Sequence, residues 1–121
     1  MSKKSRRDIG LETIKEVYAG DVVTPDKGYE FTDIMLEQLF AEIWTRETLS
    51  MRDKRILLLG IIAEKGEAAT FKIQVKASLK RGEMKAEEAR ELLLFIAQYA
   101  GYPRAASLIG PIEEAIAEAG T

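Results

Sequence analysis

The chain has 121 residues, a net charge of -2 at pH 7, 46% apolar residues and 31% charged ones. That suits one soluble globular domain over 1–121, with no overall drive toward nucleic acid or an anionic membrane. It contains no Cys and no His, which excludes disulfides, thiolate metal sites and thiol nucleophiles, and removes the usual proton shuttle near neutral pH and the commonest metal ligand. No apolar stretch reaches the length of a bilayer span and the first residues lack the apolar core of a signal peptide, so a cytoplasmic protein is expected.

In chain order, residues 1–7 carry Lys3, Lys4, Arg6 and Arg7 and read as a solvated, frayed basic end rather than a nucleic-acid arm. From about 8 to 18, Leu11, Ile14, Val17 and Tyr18 have helical spacing, and Gly20 stops that helix. Residues 21–28, with Pro25, form a connecting loop. Over 29–46, Leu36, Leu39, Phe40 and Ile43, widened by Ile34, Met35 and Trp44, predict a long amphipathic helix with Glu37 and Glu42 off the centre of its apolar face.

Ser50-Met51-Arg52-Asp53 has the form of a capping box, so a helix is expected to start at Met51. It runs into the apolar stretch 56–62, which periodicity alone would also allow as a buried strand; the charged turn 52–55 leading straight in favours helix. Gly60 would cost that helix roughly 1 kcal/mol, which predicts close packing of another backbone there. The turn at Glu64-Lys65-Gly66 ends it. Over 66–81, Ala68, Phe71, Val75 and Leu79 make one stripe while Lys72, Lys76 and Lys80 make a solvated face, and Gly82 closes the segment in the left-handed region. Two antiparallel helices with a tight turn form the predicted centre.

Residues 86–100 carry Leu92, Leu93, Phe95, Ile96 and Tyr99, too much apolar surface for burial on one side only. Gly101 is expected to end that helix in left-handed geometry, and Pro103 to begin the next in its first turn. Leu108, Ile112 and Ile116 then follow at four-residue steps, with Gly110-Pro111 expected to kink or split the segment. The fold class is all-α, with about six helices.

Phe40-Ala41-Glu42-Ile43-Trp44-Thr45-Arg46, the charged turn with its apolar helix, 71–82, and Tyr99-Ala100-Gly101-Tyr102-Pro103-Arg104-Ala105-Ala106 stand in a familiar order. Together they resemble the carboxymuconolactone decarboxylase family, a branch of the alkylhydroperoxidase D-like superfamily. The resemblance spans nearly the whole chain, and Glu42, Trp44, Arg46, Leu49, Gly66, Leu79, Gly82, Tyr99, Gly101 and Pro103 match the family pattern. It implies an all-helical fold assembled with copies of itself as trimers or hexamers, and a cofactor-free and metal-free lyase acting on a small carboxylated lactone or related anion from aromatic-acid breakdown.

Some family positions differ. The redox Cys pair falls on Glu67 and Thr70, which excludes thiol peroxidase chemistry; the His of the central helices falls on Gln74, another His falls on Val23, and a Glu near the start of the apolar helix falls on Arg55. One extra residue stands around Glu83-Met84. Decarboxylation needs a cation for the carboxylates, a group to stabilise the dienolate and a proton donor. Glu42, Gln74 and Tyr99 are the residues expected to carry the chemistry, with Trp44, Arg46, Arg55 and Thr70 around the substrate. The bland alternatives are a surface pair between Glu42 and Arg46, a solvated first-turn charge at Arg55, a backbone-bonded buried amide at Gln74, and core or interface aromatics at Trp44 and Tyr99. The competing function is a family member without catalysis that remains a small-molecule-binding or structural homo-oligomer. Nucleic acid and membrane are not expected partners.

Overall fold

A computed structural model describes residues 3–120. The regular elements among those residues are all helices, with no strand. They form two compact units that divide between Met51 and Arg52. Among the described residues, no helix is long and apolar enough to cross a membrane.

In the first unit, α1 (Arg6–Val17) starts from a capping box in which the Asp8 amide donates to Ser5 Oγ at 3.1 Å and the Ser5 amide to Asp8 Oδ2 at 3.3 Å. Arg6 and Arg7, expected in a frayed end, instead form the first turn. Arg6 donates to the Glu37 carbonyl at 2.9 Å, and Arg7 Nε to Asp33 Oδ1 at 2.7 Å. Arg6 and Arg7 are therefore tied down by charge-assisted bonds; Met1 and Ser2 lie outside the described residues. The helix buries Gly10, Thr13, Ile14 and Val17 and is followed by Ala19 and Gly20 at positive φ.

The second element departs from the expected regular helix over 29–46. α2 (Glu30–Met35) passes without a break into a π-helical segment, Leu36–Ile43, which ends with the Trp44 amide donating to the Leu39 carbonyl at 2.9 Å. Closing bonds five residues back instead of four changes which side chains share a face. Thr32, Leu36, Phe40 and Trp44 are buried, whereas Ile34, Leu39 and Ile43, expected in the apolar stripe, are exposed. The backbone of α1 meets this segment closely, since a Cβ on Gly10 would lie 2.1 Å from the Leu36 carbonyl oxygen.

In the second unit the 56–62 run is helical, as its charged lead-in predicts: α3 spans Met51–Lys65. Gly66, at φ +75°, donates to the Ile62 carbonyl and turns the chain into α4 (Ala68–Lys80). Phe71, Val75 and Leu79 are buried as expected, Ala68 is not, and Gln74, Ala77 and Ser78 join the buried face. The nearest helix to α4 is α7 rather than α3. Lys72, expected on a solvated face, pairs with Glu114 at 3.0 Å and Glu118 at 2.5 Å, and Lys76 with Glu118 at 3.4 Å.

α5 (Ala86–Ala100) has the predicted bounds. It turns Ala89 and Ala97 fully inward and packs Leu92, Leu93 and Ile96 against the core, but Leu94, Phe95 and Tyr99 are exposed. Within one chain only one of its two apolar sides is covered. Gly101 has φ +99° and ψ 147°, so it ends α5 at a positive φ that favours glycine, though not in the αL geometry expected of it. α6 (Tyr102–Ala106) carries Pro103 near its start.

The chain breaks at Ser107-Leu108, before the Gly-Pro pair rather than at it. α7 (Ile109–Ala119) takes Gly110 and Pro111 into its first turn, where a missing amide donor costs nothing. One apolar core joins Leu59 and Ile62 of α3, Phe71 and Val75 of α4, Ala89 of α5, and Leu108 with Ile112 of the last segment.

Candidate functional site

Two features of the second unit hold the groups that the sequence singles out. The first is polar and closed. Arg55 sits in the second turn of α3 with its side chain fully buried. Its Nε donates to Glu83 Oε1 at 2.9 Å, its Nη2 to Glu83 Oε2 at 3.3 Å and its Nη1 to Gln74 Oε1 at 2.5 Å. A guanidinium has only donors, so the Gln74 side chain must turn its carbonyl oxygen toward Arg55. Glu83 Oε2 also accepts from Arg81 Nε at 2.7 Å, and Arg52 Nε donates to the Glu83 carbonyl at 2.9 Å.

This arrangement decides between the readings open for Arg55. It is neither a solvated first-turn charge nor a cation facing an open site; its charge is neutralised by Glu83 inside the protein. Gln74 is a buried amide bonded to that guanidinium rather than to backbone through its oxygen. Glu83 was the residue missing from the sequence reading. The available signal for it is that an Arg one turn into an otherwise apolar helix needs a counter-charge if it is buried, and Glu83 follows the turn that closes α4.

The second feature is an open apolar groove of about 360 Å³ between α3 and α5. Ile56, Leu57 and Gly60 line it from α3, and Leu92, Phe95 and Tyr99 from α5. The Phe95 and Tyr99 rings lie 5.5 Å apart at 41°. Among the described residues Glu64 is the only charged one that lines it. Tyr99 is thus placed apart from Arg55 and Gln74, neither of which lines the groove. Thr70 lies exposed in the first turn of α4.

The remaining expected site residues belong to the first unit. Glu42 is exposed and forms an ion pair with Arg6. Trp44 is buried with its ring nearly parallel to that of Phe40, 6.4 Å between centroids, which gives it a packing role in that unit. Arg46 is exposed. Among the described residues, no group of three or more acidic side chains is placed to hold a metal ion.

Comparison with curated proteins and with solved structures gave no match. A sequence model of the carboxymuconolactone decarboxylase family matches residues 29–114, which take in the π-helical segment, α3, α4, α5 and the start of α7. With well over half of its length matched and all of its described elements helical, the chain belongs to the carboxymuconolactone decarboxylase family.

Proposed function

We propose that this family member is a cytoplasmic homo-oligomer that binds a small, largely apolar molecule in the α3/α5 groove, without the lactone decarboxylation from which the family takes its name. The observation that carries this reading is the bonding of Arg55. A substrate carboxylate would have to displace Glu83 from a fully buried guanidinium, leaving one charge unpaired at a cost of several kcal/mol. The groove, by contrast, is ready for an apolar guest and has a volume in the lower part of the range for small-molecule sites. Oligomerisation is supported by the exposed Leu94, which lies outside the groove on a helix whose other side is already in the core. A chain free of cysteine is compatible with a reducing compartment.

A lyase acting on a carboxylated lactone is the second reading. It draws support from the Tyr99 hydroxyl beside the groove, which could give a proton to a bound dienolate.

The test uses the purified full chain. Muconolactone-type and β-keto acid substrates are expected to show no turnover above buffer, while the neutral fluorophore N-phenyl-1-naphthylamine is expected to bind saturably and to be lost on Gly60→Leu. Saturable turnover removed by Tyr99→Phe would overturn the binding reading in favour of the lyase.

A further inference from the structure

Gly60 stands in the interior of α3, where glycine costs a helix about 1 kcal/mol relative to alanine. The expected reason, another backbone packed against it, is not found in the second unit: a Cβ built on Gly60 meets none of the described residues within 4 Å. The space beside it is the groove, of which Gly60 is a lining residue. A side chain at that position would project into the volume that a ligand needs.

One helical turn further along the same face is Glu64. Among the described residues no cationic side chain lines the groove, and none forms an ion pair or hydrogen bond with the Glu64 carboxylate. On the opposite wall the Tyr99 hydroxyl also lacks a partner among the described residues, and its ring stands beside that of Phe95. An ionised carboxylate only accepts hydrogen bonds, and the faces of aromatic rings attract cations. An anionic guest would meet a like charge and no counter-charge among the lining residues; a protonated amine would meet an acceptor, in a groove that also carries two aromatic rings.

We infer that the groove takes a small amphiphilic amine, its apolar body against Ile56, Leu92 and Phe95 and its ammonium group at Glu64. This rests on the binding reading above and names the ligand class, opposite in charge to the carboxylated lactone that the family resemblance implies. Gly60 keeps the floor open and Glu64 selects the charge.

Three matched probes test it on the full chain by isothermal titration: 1-naphthylmethylamine, 1-naphthalenemethanol and 1-naphthoate. The amine is expected to bind roughly fivefold tighter than the alcohol, the size of an exposed ion pair, and the acid weaker than the alcohol. Glu64→Gln should bring the amine level with the alcohol, and Gly60→Leu should abolish binding of all three without lowering the melting temperature. Equal binding of amine and alcohol, or an amine preference that survives Glu64→Gln, overturns the inference but leaves the binding reading standing. If none of the probes binds, the binding reading fails and this inference with it. A Gly60→Leu protein that keeps its probes but changes its oligomeric mass would make the groove a contact between copies, which also overturns the inference.

Discussion

Arg55 and Glu83, 28 positions apart in the chain, form a two-point ion pair with nitrogen–oxygen distances of 2.9 and 3.3 Å, and the Arg55 side chain has no exposed surface. Breaking such a pair from one side is far more costly than replacing it, because the remaining charge is left in a medium that solvates it poorly. Glu83→Ala is therefore expected to lower the unfolding free energy by about 3–5 kcal/mol. Adding Arg55→Met to that variant should restore more than half of the loss. Urea denaturation of the two single variants and the double variant checks this; additive losses would show that the pair is not coupled.

Acid should weaken the first unit through Asp33. The Arg7 guanidinium, followed by the Gly28 amide, holds the Asp33 carboxyl below its ordinary value of 3.8. A carboxylate with a lowered folded-state value contributes stability that is complete above the ordinary value and is lost as the pH falls through the lowered one. The melting temperature is expected to fall as the pH drops below about 4, and Asp33→Asn should flatten that acid limb while lowering stability at neutral pH. Glu88, Glu113 and Glu118 are shifted the same way, by the Lys85 amide, Arg90 and Lys72 respectively, so Asp33→Asn removes only part of the slope.

Two helical glycines should respond to alanine in opposite senses. At Gly10 the added Cβ would lie 2.1 Å from the Leu36 carbonyl oxygen, a backbone atom that cannot swing aside, so Gly10→Ala should destabilise by about 1–3 kcal/mol. At Gly60 the added Cβ meets nothing, and Gly60→Ala should stabilise by about 0.5–1 kcal/mol through helix propensity. Thermal melts of both proteins decide the point. A destabilised Gly60→Ala would mean that something absent from the single chain packs against α3 there.

Leu94 is 54% exposed on α5 and does not line the groove, so it separates assembly from ligand binding. The unsubstituted chain is expected to run as a trimer or hexamer in light-scattering chromatography, and Leu94→Glu to shift it toward monomer. A chain that is already monomeric at micromolar concentration would remove the oligomer from the proposal.

The amino-acid order alone was enough for the all-helical class, the start of α3 at Met51, the turn at Gly66 and the bounds of α5, because each depends on local spacing or on a glycine at a turn; the family came from the resemblance of its motifs. What it did not contain was which distant groups meet. The buried Arg55–Glu83 pair, the close approach of Gly10 to Leu36 and the open space beside Gly60 arise from how segments far apart in the chain pack, and the π winding of Leu36–Ile43 was not marked by its apolar spacing. A charge or a glycine has the same propensity wherever it falls. Only the folded surroundings decide whether a cation is free to hold a substrate or already neutralised, and whether a missing side chain admits a backbone or leaves room for a ligand.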